Sequence, residues 1–514
     1  MNTSCALMDA DSVEEAQAQA DRNVRHGCHR SVPREVAVGA LLGLLLLVNL
    51  AISLYQLPLN RVIERRLCRE YYTQHNPSAI GREGNVAEEL CKIDEVQQDL
   101  AWIQGVMETT WIVGDLVMTI PLGFMAEKYG QRTILWLNLV PRIFMLAWAV
   151  IVGYFEQSLP TKAFIAGPTL SILGGDCVFN SITYSLAAGI TDDNVLRATY
   201  FGWMSSVSYV VALAGPALAS ASMTVLLWLP FWLGITLLLL AIPTILLLPS
   251  DSGVLNSSPS TSGDEDSHPL ISSSILTAQS SDQTILRSIS KRIEALRSIL
   301  SSQPRNLNLL LIFFLLTSLA SSDTKLLAQY ISKRYHWPFA SAGYLLSGKA
   351  VVNLTLLAVI IPRLIRARHA SCRLNPQGES PDQVNIRYAN LCLLMSVLGA
   401  LAIALSAKVW LLVPSLFIYA LGSALPVFTL SLLKSPAVTP KQDDRFGDTT
   451  DPETHIFSMV MMVKTIGSLF GAPLMVVLWM QGIGMGSASL GLPYFASAIG
   501  YVLATVVFSG VKVW

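Results

Sequence analysis

The sequence predicts an all-α membrane protein of about twelve transmembrane helices in two six-helix bundles. Three observations lead there. Only 14% of the residues are charged, against roughly 25% in soluble domains, while 52% are hydrophobic and mean hydropathy is +0.50. Apolar runs of about 20 residues, the length that crosses a bilayer, recur along the whole chain. A polar stretch at about 250–305 separates six such runs from six more, as in bundles that frame a substrate path between them.

In chain order, Met1–Pro33 is polar, with Asp11, Glu14, Glu15 and Asp21 ahead of Arg22, Arg25, Arg30 and Arg34. It lacks the basic-then-apolar order of a cleavable signal peptide, and residues 1–35 read as a disordered cytosolic tail. The first six spans are expected near 36–57, 99–125, 133–155, 163–190, 197–221 and 224–248, forming a bundle over 36–249. The second six are expected near 306–330, 340–365, 387–406, 409–433, 456–481 and 489–511, forming a bundle over 306–514. Loop bases concentrate on the side of the N-terminus, among them Lys128, Arg132, Arg363, Arg366, Arg368, Lys434 and Arg445. That asymmetry predicts cytosolic termini. The long first outer loop, about 58–98, is the exception, with Arg61, Arg65, Arg66, Arg69, Arg82 and Lys92. It also holds Cys68 and Cys91, which an oxidising exterior allows to bridge.

The 250–305 linker has two parts. Asp251–Gln283 is rich in Ser, Thr, Asp and Pro and is expected to be disordered. In Ile285–Leu300, Ile285, Ile289, Ile293, Leu296 and Leu300 recur at helical spacing, with Arg287, Lys291, Arg292 and Arg297 on other faces. This is either a basic amphipathic helix on the inner leaflet or a helix packed under the bundle. Asn256 opens a sequon that a cytosolic linker keeps from glycosylation.

Between the second and third spans stands GFMAEKYGQRT, residues 123–133. Glu127, Lys128 and Arg132 are expected in a short turn at one membrane face, Gly123 to let two helices approach, and Gly130 to take positive φ. This order resembles the signature of the major facilitator superfamily, roughly G-x-x-A-D-R-x-G-R-R, with Glu127 at the aspartate position and Gln131 replacing a base. In span five, Gly215-Pro216 within ALAGPALAS resembles the superfamily's antiporter motif, with Val211 at its first glycine position; Pro216 is expected to kink the span and Gly215 to permit close packing. The words LCREYY, CKIDEVQ, QYISKRYHW, SAGYLLSGKAVVNL, IGSLFGAPL and GLPYF are similar to a fungal branch of the superfamily. The resemblance covers nearly everything outside the tail and the linker. It implies the major facilitator fold, a cytosolic gate at the 123–133 motif, and an association with export of secondary metabolites or drugs.

Ionisable side chains inside a bilayer are costly and mark pathways or neutralised pairs. Glu108 and Asp115 lie seven residues apart in span two, near one face; Asp176 lies in span four. These three are the proton-coupling candidates, because a carboxylate that alternates between environments can bind and release a proton. Arg142, Asp323, Lys325, Lys349 and Lys464 are substrate or counter-ion candidates, Lys349 and Lys464 for an anionic substrate in particular, with Arg142 able to pair with Asp115 or Asp176. The superfamily's usual span-four arginine is not evident; Asp176 sits in GGDCVFN instead.

No G-x-x-x-x-G-K-[ST] phosphate loop, zinc-ligand spacing or hydrolytic constellation is present. The chain is therefore read as a non-enzyme without cofactor or metal. Its expected partners are a small organic solute, protons and the bilayer, with no nucleic acid and a monomeric state. The expected function is proton-coupled efflux at the plasma membrane. Proton-coupled nutrient import, or a non-transporting sensor on the same fold, are the alternatives.

Overall fold

The computed structural model describes residues 33–81, 86–190, 194–248, 305–360, 363, 381–432, 452–486 and 489–511. The N-terminal tail and the linker, including Asn256 and the 285–300 segment, lie outside them. The chain runs α1 (Arg34–His75), α2 (Asp94–Tyr129), α3 (Gln131–Tyr154), α4 (Asp176–Gly189), α5 (Asn194–Val225) and α6 (Leu229–Leu246). The second half runs α7 (Arg305–Ala320), α8 (Leu327–Tyr335), α9 (Phe339–Thr355), α10 (Pro381–Leu405), α11 (Val409–Leu421), α12 (Leu425–Leu432), α13 (Pro452–Gly484) and α14 (Leu492–Ser509). No strand occurs among the described residues.

Ten helical segments among the described residues are long and apolar enough to cross a membrane. The expected second and fourth spans are not among them. α2 is helical for 36 residues, but Glu108, Asp115 and neighbouring polar residues dilute its apolar stretch. The fourth span is broken: a 3-10 helix, Thr161–Leu173, precedes α4, and Gly174 between them has φ +137°. Backbone freed by such a break is tolerated in a membrane only where protein or a water-filled path satisfies it.

Two apolar cores match the two halves. Leu44, Val48, Leu146 and Phe231 belong to one; Phe313, Tyr330, Trp479 and Tyr494 to the other. They exchange members at the seam, with Ala328 and Phe339 in the first and Ala101 in the second. There α2 meets α13 and α5 meets α9. A Cβ on Gly105 would lie 2.6 Å from Val476, and one on Gly343 would lie 2.0 Å from the Ser220 hydroxyl.

Three expectations need correction. α1 does not stop near residue 57 but continues to His75, 42 residues in all. Leu59, Val62, Ile63 and Leu67 keep helical spacing and are buried, so helix occupies half of the expected outer loop. The 123–133 segment is not a charged turn either: α2 ends at Tyr129, α3 starts at Gln131, and Gly130, φ +89°, is the whole link. Glu127 and Lys128 thus fall in the last helical turn of α2; their side chains lie outside the described residues. Finally, a Cβ on Gly123 would meet nothing within 4 Å among the described residues, so no described helix packs closely there. At Gly215, by contrast, a Cβ would lie 2.0 Å from the Ser53 hydroxyl of α1, and α5 runs unbroken through Pro216.

Candidate translocation site

The break in the fourth span organises the first half of the site. α4 begins at mid-span with Gly175 at its N-cap and no capping side chain of its own. Its exposed first-turn N–H groups need acceptors. Asp115, reaching over from α2, accepts the Cys177 N–H at 2.9 Å. A carboxylate at a helix N-terminus stabilises by up to about 2 kcal/mol when partly buried. Asn138 adds a bond from its side-chain amide to the Gly175 carbonyl, 2.9 Å.

Arg142 of α3 is fully buried beneath this break. Its Nε donates to Asn138 Oδ1 at 3.0 Å and its Nη2 to Asp176 Oδ1 at 2.8 Å. The guanidinium also lies over the Phe179 and Trp111 rings, 5.1 and 5.8 Å from their centroids. Arg142 therefore pairs with Asp176. Among the described residues Asp115 keeps one buried oxygen without a partner, as Arg142 does its Nη1.

The second half contributes through a break of its own. Span seven tightens at mid-depth into a 3-10 turn, Ser321–Lys325. At three residues per turn, Asp323 and Lys325 point in different directions. Lys325 crosses to the first bundle and meets Glu108 of α2 at 3.0 Å. The side chains of Asp176, Lys325 and Glu108 are 56%, 54% and 33% exposed although all lie at mid-span. Exposed charges at mid-depth mark a path between the bundles.

Asp323 turns the other way and is fully buried. It accepts the Tyr419 hydroxyl at 2.8 and 3.1 Å. Lys349 of α9 sits 5.0 Å from the Tyr419 ring centroid. Both Lys349 and Lys464 line a cavity of about 280 Å³ within the second bundle, with Phe313 and Phe314 among its apolar walls.

At the end of the bundles away from the N-terminus, a disulfide joins Cys68 of α1 to Cys91, with Cα atoms 5.3 Å apart. Beside it Lys92 and Glu64, both fully buried, pair at 2.6 Å, and Gln97 donates to the same Glu64 oxygen. Arg61 bonds Glu64 at 3.0 Å and Glu88 at 3.1 Å. This cluster reaches the second bundle. Lys333 of α8 pairs with Asp94 at 2.6 Å and donates to the Lys92 carbonyl. The Phe339 N–H, at the start of α9, donates to Glu88 at 2.9 Å. We call this set the clasp. At the opposite end, Arg132 donates to the Leu246 carbonyl of α6, 3.2 Å, inside its own bundle.

Residues 95–472 match the model of the Major Facilitator Superfamily. The chain belongs to the Major Facilitator Superfamily. It is 26% identical over 457 residues to the MFS efflux pump atnC of Emericella nidulans, covering 88% of this chain and 83% of that protein. It is likewise 26% identical over 525 residues to the efflux pump ustT of Aspergillus flavus, covering 99% and 94%. Among solved structures it resembles the D-xylose–proton symporter at a TM-score of 0.59, with 12% identity, covering 93% of this chain and 98% of the other. This superfamily member is thus a multi-pass membrane protein of secondary-transport type. Sequence reasoning missed Asn138, Tyr419 and, apart from the Cys68–Cys91 bridge, the clasp. Asn138 stands four residues before Arg142, a spacing that could have flagged it. Tyr419 lies in an uncharged apolar run with nothing to mark it; Lys92 reads as one of the bases of an expected loop, and Glu64 carries no signal of its own among them.

Proposed function

We propose that the protein exports a small organic solute in exchange for protons by alternating access. The observation that carries this reading is the Glu108–Lys325 pair, 3.0 Å, formed by one residue from each bundle inside the open path. Protonation of Glu108 removes the charge that holds Lys325 and so loosens one bundle from the other. Asp176 is the second titratable group on the path, held by Arg142. Asp115 serves the broken helix as a cap and is the least suited of the three. The driving force is sufficient: about 1.4 kcal/mol per pH unit and roughly 2.3 kcal/mol per 100 mV for one charge.

The direction of transport draws on Gly215-Pro216 and on the two efflux pumps among the relatives. The bias of loop bases supports cytosolic termini and linker, which puts the clasp outside the cell and makes this the outward-closed state. We further propose a plasma-membrane location and a monomer. The solute is found by comparing small-molecule contents of cells that lack or overproduce the protein. In proteoliposomes Glu108→Gln is then expected to keep solute counterflow but lose pH-driven accumulation. Unaltered pH dependence in Glu108→Gln and Asp176→Asn alike removes both from the coupling step.

A further inference from the structure

We propose that the cavity of the second bundle is a binding site for an organic anion: an aromatic or similarly flat apolar body bearing a carboxylate and a hydroxyl. The proposal rests on the exporter reading and names the chemistry of its solute. Three features of the cavity point to it.

First, its charge is unbalanced. Lys349 and Lys464 both line the cavity, and neither forms an ion pair within 4.0 Å among the described residues. The nearby carboxylate is Asp323, fully buried and already accepting the one proton of the Tyr419 hydroxyl, which lies 2.8 and 3.1 Å from its two oxygens. Two cations thus share one shielded anion. A cation held away from water is costly unless it is paired, and an anionic ligand supplies the missing charge.

Second, the cavity holds polar atoms waiting for partners. Asn353 and Ser423 line it, and Asn353 Oδ1 and Ser423 Oγ are buried without a hydrogen bond among the described residues. Native proteins rarely leave such atoms unsatisfied. The amide oxygen of Asn353 only accepts, so it selects a ligand with a donor such as a hydroxyl.

Third, Phe313, Phe314, Leu425 and Pro426 give the cavity apolar walls. Its volume, about 280 Å³, lies just below the usual range of ligand pockets, about 300–1,000 Å³, and so suits a small ligand. An anion with an apolar body fills it; a bare inorganic ion does not.

The test uses the full chain in detergent, titrated calorimetrically with 6-hydroxy-2-naphthoate, salicylate and their neutral amides. Each acid is expected to bind at least tenfold more tightly than its amide. Lys464→Met should bring the acid down to the amide, while Lys464→Arg, which keeps the charge, should preserve the difference. Equal binding of acid and amide, no binding of either acid, or an undiminished difference in Lys464→Met overturns the proposal. Proteoliposome flux of the same compounds separates this from failure of the exporter reading. Movement of the amides without the acids leaves an exporter that does not select anions. A pH gradient that moves no compound, including solutes found in cells, removes the exporter itself.

Discussion

Replacing Lys333 by methionine should open the clasp. Methionine keeps most of the apolar length of lysine but removes its charge and its donors. Two interactions are lost. The bond to the buried Lys92 carbonyl is charge-assisted and is worth about 1.5–3 kcal/mol. The ion pair to Asp94, whose side chain is 61% exposed, adds at most about 1 kcal/mol after solvent screening. Both contacts join the two bundles and exist only while this end is shut. Their loss therefore shifts the equilibrium by about 2–4 kcal/mol toward the state open at the clasp, at least 30-fold. Ala101 is a suitable reporter, because it belongs to the first bundle yet is fully buried in the core of the second. In a background with Cys5, Cys28, Cys177, Cys372 and Cys392 replaced by serine, Ala101→Cys should react slowly with a membrane-impermeant maleimide. Adding Lys333→Met should speed labelling from outside, and Lys333→Arg should not. Equal labelling with and without Lys333→Met, in protein that still folds, refutes the clasp as a gate.

Other outcomes follow from the same geometry. Lys92→Met leaves Glu64 buried with only Arg61 and Gln97; stability should fall by about 3 kcal/mol, the low end for a broken buried pair, read as a lowered thermal midpoint. Cys68 and Cys91 should react with an impermeant thiol reagent only after reduction, and Cys91→Ser should cost about 3 kcal/mol for a loop closed over 23 residues. Asp115→Asn keeps an oxygen for the Cys177 N–H and should express normally, whereas Asp115→Leu should lose the cap and fold poorly, measured as yield of monodisperse protein. Arg132→Ala removes one exposed bond to Leu246, so a role of the 123–133 motif as cytosolic gate predicts only a two- to tenfold rise in thiol accessibility at the cytosolic ends of spans four, five, ten and eleven, about 0.5–1.5 kcal/mol; no change there or with Glu127→Gln leaves the motif without a gating role.

The sequence made the class and the family legible because both rest on long-range repetition: apolar runs, their spacing and a signature between two of them. Buried charges were legible one by one for the same reason, since each interrupts an apolar run. Their pairing was not. Glu108 and Asp115 share a helical face by spacing, yet one meets Lys325 across the seam while the other caps α4. The cause is the break at Gly174, which no hydropathy reading detects, because the apolar run continues through it. The reach of α1 was missed for the opposite reason. Its later turns alternate apolar residues with Arg61, Glu64, Arg65 and Arg66, which looks like a loop by composition but buries Glu64 against Lys92. At Gly123 a family motif suggested close packing that is absent among the described residues, since motif and contact are separate properties.

The most direct test of proton-coupled export is flux in proteoliposomes oriented with the linker outward, loaded with a pH-sensitive dye and given the solute identified from cells. An acidic interior imposed on the vesicles should drive solute inward against its gradient while protons leave, with the dye reporting alkalinisation that stops in Glu108→Gln. Solute moving outward together with protons would contradict export and establish import. Solute movement indifferent to the pH gradient would contradict proton coupling altogether.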